Sequence, residues 1–308
     1  MIAGFHKDEV DGLSMLSAKS LPALQKTDLV IHSLRLPRVV ALFLNGAQLG
    51  AFTDKKVRLA LAHAIDINSA IANILGGAAE TIASPIPPGS AGFNPDIPKI
   101  SHDVEAAKKL LDEAGWKDSD KDGIRDKVER KNRKNVVTPL KIEVVTSDFP
   151  ELKEVAEAIK SMWKGLGVEV QVKTLSATEL ESSVIRPRAY QVLLFGEIFG
   201  HDPDPFAFWH TSQIKDPGLN IALYSNRKVD ALLEEARRLT DPQKREEKYR
   251  EFQKIVAGDK PAIFLFSPTS YYGVSNSIKG VTIERIALPQ ERFAHIEEWY
   301  IKTRRGLK

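Results

Sequence analysis

The sequence contains no cysteine among its 308 residues. Disulfide bonds, thiolate catalysis and zinc sites with cysteine ligands are therefore excluded, while the cellular compartment stays open because many secreted proteins also lack cysteine. No apolar run approaches the roughly eighteen residues that a membrane-spanning helix needs. The opening residues, MIAGFHKDEVDGL, lack a basic segment followed by an apolar one, so this chain shows no signal peptide.

The sequence also lacks a concentration of charge of one sign. It has 44 basic and 41 acidic residues, giving a net charge of +3, and the basic residues are dispersed. Nucleic acid is excluded as a main partner because phosphate binding needs a concentrated positive face. There is no phosphate-binding glycine pattern, no GxSxG and no HExxH, so phosphoryl transfer, acyl transfer and zinc hydrolysis have no support.

The pattern of apolar residues predicts an α/β fold. Apolar positions alternate over 140–144, recur at helical spacing over 152–166 and alternate again over 168–174, which predicts a βαβ unit with parallel strands. Asp148 is the predicted cap of its helix. A chain of this length favours two lobes or one large domain with appendages. No internal repeat is present, and the basic run RDKVERKNRK is expected to be a solvated loop.

Further helices are predicted where apolar residues recur at helical spacing. Thr53 or Asp54, Asp66 and Asp241 are the predicted caps of three of them, the last with proline at the first helical position, and another helix is predicted over residues 103–115. The runs YQVLLFG and AIFLFS are short and continuously apolar, which is typical of strands buried on both faces. The expected domain is therefore a sheet flanked by helices.

The stretch FGHDPDPFAFWH, residues 199–210, is the main candidate binding loop. Its alternating prolines exclude helix and central strand, so a stiff loop leaves the end of a buried strand. Loops at such strand ends commonly hold ligands in α/β proteins. Asp202 and Asp204 are two residues apart and point oppositely in an extended segment, which disfavours a catalytic pair. The predicted ligand-contacting residues are Phe199, His201, Asp202, Asp204, Phe206 and Trp209, with stacking and simple packing both open for the aromatic rings.

Residues 118–129, DSDKDGIRDKVE, match the spacing of an EF-hand calcium loop. Carboxylates stand at positions 1, 3, 5, 9 and 12, with glycine at position 6, and position 7 would contribute its main-chain carbonyl. The predicted calcium ligands are Asp118, Asp120, Asp122, Ile124, Asp126 and Glu129. Two interpretations stay open, a structural calcium site and an ordinary acidic surface turn. No other cofactor is required by the sequence.

Six stretches, in this order, together resemble the family 5 solute-binding proteins of ABC importers, the peptide- and nickel-binding type. They are HKDEVDGL, FTDKKVRLALAHAIDINSAIANILGGAAE, DVEAAKKLLDEAGWKDSDKDGIRDK, DPDPFAFWH, LYSNRKVDALLEEARRLTD and YREFQKIVAGDKPAIFLFSP. The resemblance implies a periplasmic-binding-protein-like fold of type II, in which two lobes enclose a solute around a hinge. It implies a binding protein with no enzymatic activity.

Against that family pattern, this chain looks like the C-terminal lobe with most of the N-terminal lobe missing. The implied division is a hinge-proximal remnant at 1–40, the solute-binding lobe at 41–267 and a return segment at 268–308. The implied partners are a peptide-like solute, a membrane ABC permease and the missing lobe, in a periplasmic or extracytoplasmic location. Two alternatives from other classes are a calcium-dependent extracellular hydrolase and a non-transport interaction module.

In peptide-binding members, the resemblance places a carboxylate for the peptide ammonium three residues before the Asp-Pro pair. Phe199 occupies that position here. Either Asp202 or Asp204 replaces the missing charge, or the solute has no free amino terminus at this point.

Overall fold

The computed structural model describes residues 2–7, 9–25, 27–131, 134–200, 202–283 and 285–301. Its strands are β1 (Gly12–Leu16), β2 (Leu29–Arg35), β3 (Arg38–Leu44), β4 (Ala79–Thr81), β5 (Asp126–Lys131), β6 (Lys134–Pro139), β7 (Lys141–Ser147), β8 (Glu169–Leu175), β9 (Val192–Ile198), β10 (Ala262–Ser275), β11 (Ile278–Lys279) and β12 (Tyr300–Ile301). Its helices are α1 (Ile2–Phe5), α2 (Leu21–Leu24), α3 (Lys55–His63), α4 (Ile67–Asn73), α5 (Val104–Glu113), α6 (Pro150–Lys164), α7 (Ala177–Leu180), α8 (Phe206–Trp209), α9 (Arg227–Arg238) and α10 (Pro242–Asp259). The α/β prediction is confirmed.

The main sheet has the strand order β1-β10-β3-β9-β7-β8, with β2 and β4 also paired to β10. β7 runs parallel to both β8 and β9, so β7, α6 and β8 form the predicted βαβ unit. β3 is antiparallel to β9 and to β10. The carboxyl ends of β7, β8 and β9 therefore meet the amino end of β3 at one edge of the sheet.

Both faces of this sheet are buried, as the continuous apolar runs predict. One face packs against α3, α5 and α6 through a core that includes Leu61, Ile142 and the fully buried Trp163. The other face packs against α9 and α10 through a second core that includes Phe252 and Trp209. The even-numbered β9 residues Val192 and Leu194 face the first core, and the odd-numbered Leu193 faces the second.

The terminal parts of the described chain meet along the second half of β10. Thr269–Ser275 pairs with β2 on one side, while β1 pairs with the same strand on the other. The boundary predicted between 267 and 268 thus falls inside one continuous strand. The three-part division of the chain remains a prediction.

Two local expectations were wrong. The basic run expected to be a solvated loop forms the antiparallel hairpin β5–β6, whose side chains are mostly exposed. The helix α6 begins at Pro150 after Phe149, so Asp148 does not cap it. The apolar stretch 34–45 is divided between β2 and β3, because Pro37 lies between them and cannot donate a ladder hydrogen bond.

Aspartate caps are present at three other predicted helix starts. Asp54, Asp66 and Asp241 each accept a hydrogen bond from a backbone N–H in the first turn of the helix that follows, and Asp103 does the same for α5. Among the residues that the model describes, no helix combines the length and apolarity that a membrane crossing needs.

Candidate functional site

The end of the sheet at which β7, β8 and β9 finish, which we call the strand-end edge, is the strongest candidate site for a ligand. In open α/β sheets, ligands bind outside the carboxyl ends of the strands, because the loops there diverge and leave a crevice. The end of β9 is paired with the start of β3 through Arg38 opposite Ile198 and Val39 opposite Glu197. Ser147 is the last residue of β7, and Val145, two residues earlier, is paired with Leu193 of β9. Three polar residues thus occupy neighbouring strand ends, Ser147 and Glu197 on one face of the sheet and Arg38 on the other, and we call Arg38, Ser147 and Glu197 the strand-end triad.

Each member of the strand-end triad has a buried polar atom with no hydrogen-bond partner in the described chain. These atoms are Arg38 Nε, Ser147 Oγ and both carboxyl oxygens of Glu197. Buried polar groups are nearly always paired, so three orphaned groups at one strand-end edge call for an explanation. Unpaired, desolvated ionisable groups are typical of sites that meet a ligand.

Burial changes the protonation of the two ionisable members. Glu197 is 3% exposed, and this burial raises the pKa of its carboxyl well above the ordinary value. The pKa of the Arg38 guanidinium is lowered by desolvation, although the side chain stays partly exposed. Each charge is costly to maintain at this edge until a group of opposite charge arrives.

The two charged members lie on opposite faces of the sheet. Glu197 shares its face with its cross-strand partner Val39, which belongs to the second core. Arg38 lies on the other face, where its Cδ is 3.4 Å from the position that a Cβ on Gly196 would take. A Cβ at Gly196 would be in ordinary van der Waals contact with the Arg38 stem, so the stem passes directly beside this glycine.

The predicted binding loop follows β9 directly, but its carboxylates are paired within the protein. Asp204 receives three hydrogen bonds from Arg237, at 3.0 Å from Nε and 2.5 Å from Nη2 to Oδ2, and at 3.2 Å from Nε to Oδ1. Asp202 lies 3.2 Å from Arg245. These arginines belong to α9 and α10, so both aspartates hold the loop against the helices. Their proposed contacts with solute are additional to that role.

The aromatic residues of the loop are divided between packing and bracing. Trp209 is fully buried, with ring centroids 5.8 Å from Phe264 and 6.3 Å from Phe252. Phe199 is 2% exposed and lies 4.9 Å from Phe208. If a solute is held between two lobes, a residue that contacts it should be exposed to solvent when its own lobe is considered without the other. The prediction that Trp209 and Phe199 contact solute therefore disagrees with their burial, which favours simple packing.

Phe206 is enclosed between two other side chains. The Arg237 guanidinium lies 3.6 Å from the centroid of the Phe206 ring. The His210 ring stacks on the Phe206 ring with a centroid-to-centroid distance of 4.0 Å. His210 in turn lies 3.3 Å from Glu234 of α9. Phe206 therefore belongs to the contacts that fix the loop. His201, also predicted to contact solute, lies outside the described residues.

Sequence reasoning missed all three members of the strand-end triad. A signal was present for Glu197, since a carboxylate that directly follows the buried run YQVLLFG has no obvious exposed position. Arg38 and Ser147 gave none, because arginine and serine at strand ends are ordinary.

The matches to known proteins agree with this architecture. The model of the bacterial extracellular solute-binding proteins, family 5 Middle, matches residues 1–218. The oligopeptide-binding protein AppA of Bacillus subtilis is 29% identical over 254 residues, which cover 81% of this chain and 44% of that protein. The heme-binding protein A of Haemophilus influenzae is 29% identical over 264 residues, covering 84% of this chain and 45% of that protein.

The solved structure of Bacillus subtilis AppA in complex with a nonapeptide superposes on 98% of this chain with a TM-score of 0.79 and 26% identity. That match covers 58% of the AppA chain. The chain therefore spans about half the length of the relatives it matches.

Proposed function

This chain belongs to the bacterial extracellular solute-binding proteins of family 5, and from that premise we propose that it forms the C-terminal lobe of a two-lobed receptor. In this proposal, the receptor encloses a solute between its lobes, outside the cytoplasmic membrane, and delivers it to an ABC permease. It has no enzymatic role. The relatives named above are a peptide-binding and a heme-binding protein, so the class of solute must come from the site itself.

The observation that carries the proposal is the strand-end triad. Its unpaired groups lie at the carboxyl ends of β7 and β9 and at the start of β3, and in this proposal the second lobe faces that end of the sheet. The hydrogen-bonding groups of a bound solute would supply the partners that these atoms lack within the protein.

The solute we propose is an oligopeptide or a related zwitterion. Arg38 supplies an unpaired cation on one face of the edge, and Glu197 supplies a carboxyl on the other. An anionic group of the solute would pair with the guanidinium, and a cationic group would favour the ionised form of Glu197 by lowering its raised pKa. A peptide carries both kinds of group together with backbone amides.

This half of the receptor should bind weakly when isolated. Pockets usually enclose most of a ligand, whereas one lobe can cover only one side of it. We expect a pentapeptide to bind this chain with a Kd of about 0.1 mM or weaker, equivalent to roughly −5.5 kcal/mol. Isothermal titration calorimetry measures this directly, with heme and a nickel–histidine complex as competing solute classes.

Arg38→Gln is the informative variant, since it removes the cation and keeps a hydrogen-bonding side chain. We expect it to weaken peptide binding at least tenfold. The control is Glu297→Gln, a change at an exposed residue far along the chain, and this variant should bind the peptide as the unaltered chain does. Micromolar binding by the chain alone, or equal binding by Arg38→Gln, would contradict the proposal. Binding of heme or nickel–histidine in preference to the peptide would leave the receptor role intact and replace the solute class.

A further inference from the structure

The acidic loop between α5 and β5 lies at the opposite edge of the sheet from the strand-end triad. Arg125 at its end donates its backbone N–H to Gly167, just before β8, and accepts from Leu140, just before β7. The Arg125 side chain also donates to Leu166 O at 2.7 Å and to Trp116 O at 2.6 Å. The loop is thus fixed to the amino ends of two strands, and its shape is set by the fold.

Three aspartates of this loop bring their carboxylates together. One oxygen from each of Asp118, Asp120 and Asp122 lies within 4.8 Å of the others. Oxygen ligands surround calcium at 2.3–2.6 Å, so two ligands of one ion stand no more than about 5 Å apart. No basic side chain is ion-paired with these three carboxylates in the part of the chain that the structure describes. Their mutual repulsion is therefore not offset by a direct ion pair, although Lys117 and Arg125 line the same pocket as Asp118.

The loop backbone already follows the course that this ligand spacing requires. Gly123, with a φ of 89°, donates its N–H to Asp118 Oδ2 at 3.1 Å, which folds the loop back on its first residue. The Asp122 and Ile124 N–H groups donate to Asp120 and Asp122. Only glycine adopts this left-handed conformation without strain, which accounts for Gly123 at the sixth position.

A fourth carboxylate provides separate evidence for a ligand. Asp126 is 5% exposed, and its Oδ2 accepts hydrogen bonds from the backbone N–H and the hydroxyl of Ser119, at 3.2 and 2.7 Å. Because Ser119 lies between the first two aspartates, these bonds hold the Asp126 carboxylate beside the loop, next to the group of three that converge. Its other oxygen, Oδ1, is buried and has no hydrogen-bond partner. A buried carboxylate oxygen without a donor is the group that a cation satisfies.

The geometry points to a calcium site formed by the carboxylates of Asp118, Asp120, Asp122 and Asp126 with the main-chain carbonyl of Ile124. That carbonyl accepts no hydrogen bond from any described residue. Five oxygens from one short loop suit calcium, which takes 6–8 oxygen ligands in flexible geometry, better than magnesium, which retains several waters in a strict octahedron. Water would complete the shell. This inference does not depend on the proposed transport function.

The ligand set differs from the one predicted by the EF-hand spacing. Glu129, at the twelfth position, lies on β5 opposite Val136 of β6. In an EF-hand, the chain leaves the loop as a helix that returns the twelfth residue to the ion, whereas here it leaves as an extended strand. Glu129 is therefore directed away along the hairpin, and Asp126 is the last carboxylate of the site.

Calcium titration of chelator-treated protein tests the site. Calorimetry should give a Kd of about 0.1–1 mM, the range of extracellular calcium modules. Terbium offers a second readout, because the buried Trp116, two residues from Asp118, can sensitise its luminescence and added calcium should then quench it. Magnesium at equal concentration should compete at least tenfold less well.

Asp120→Asn with Asp122→Asn is the test variant, since asparagine keeps the backbone hydrogen bonds and removes two charges. We expect calcium affinity to fall at least tenfold, with an unchanged circular dichroism spectrum. The matched control is Glu297→Gln with Glu298→Gln, which neutralises the other exposed acidic group whose ligand atoms converge, and should bind calcium as before.

Asp126→Asn separates the buried carboxylate from the exposed cluster and should weaken binding at least fivefold. Should either variant fail to fold, Asp118→Asn provides the same comparison with one change. Absence of calcium binding at about 10 mM by the unaltered chain, or unchanged affinity in all the aspartate variants, would overturn the site.

Discussion

Glu197 of the strand-end triad lies two residues before the predicted binding loop, residues 199–210, yet the charged groups of the triad and of the loop are in opposite situations. In the loop, Asp202 and Asp204 each have an arginine partner from the helices behind them. In the triad, Glu197 and Arg38 are more deeply placed and have orphaned polar atoms. The difference teaches that conspicuous acids in a sequence can be paired within the protein, while an unpaired carboxyl lies hidden at the end of a buried strand.

Trp209→Ala should produce the largest effect on stability, because the loop depends on this ring in the second core. We expect the free energy of unfolding to fall by about 3–5 kcal/mol, the usual cost of removing a buried aromatic side chain. Urea denaturation measures it. Ile198→Ala, at a residue that is 50% exposed, is the control and should cost less than about 1 kcal/mol. Similar losses in the two variants would show that Trp209 does not anchor the loop.

Glu197→Gln tests the other side of the comparison. Because burial raises the pKa of Glu197, the folded state holds this proton more tightly than the unfolded state. Its stabilising protonation is complete below the unfolded pKa, near the ordinary 4.5, and stability is lost as pH rises from there toward the raised folded pKa. Glutamine cannot ionise, so the variant should gain at least about 1 kcal/mol at pH 8 relative to its change at pH 4.

Denaturation midpoints of both proteins across this pH range measure the effect. Ser147→Ala changes another orphaned group of the same face but has no titratable group, so it should shift stability equally at every pH. A gain for Glu197→Gln that does not grow with pH would show that the carboxyl is paired or solvated in the folded protein.

Arg237→Met should have a smaller effect, since it breaks a paired charge at a partly exposed position. The variant loses the ion pair with Asp204 and the contact of the guanidinium with the Phe206 ring. Exposed ion pairs contribute about 0.2–1 kcal/mol and a cation over an exposed ring about 0.5–1 kcal/mol, so we expect a loss of about 1 kcal/mol.

A double-mutant cycle with Asp204→Asn isolates the pair, and a coupling energy near zero would contradict the bracing role. Arg245→Met should cost still less, within about 0.5 kcal/mol, because its partner Asp202 has a side chain that is 64% exposed.

Periodicity in the sequence predicts most of the architecture. The βαβ unit and the capped helices follow from apolar spacing and aspartate caps, which are local signals. The β5–β6 hairpin escaped prediction because both its faces are exposed, so no apolar alternation marks it. Val128 and Val137 are 50% and 54% exposed where they pair.

The site was less predictable than the fold. The sequence locates the end of β9 and the loop after it, but the pairing of Asp204 with Arg237 joins residues 33 positions apart. Whether a carboxylate is satisfied depends on such distant partners, so sequence alone cannot separate the paired Asp204 from the orphaned Glu197. In the acidic loop, the turn over residues 118–123 follows from local sequence, whereas the position of Glu129 on β5 depends on the hairpin with β6.

The most direct test of the proposed binding edge is a pentapeptide titration followed by the backbone amide resonances of the isotope-labelled chain. Saturable shifts should be largest at residues 38, 147 and 196–198 and should disappear in Arg38→Gln, while the amides of α9 behind the loop change little. Shifts concentrated at residues 202–206, with none at the strand-end triad, would show that the paired aspartates bind the solute and would contradict the central claim.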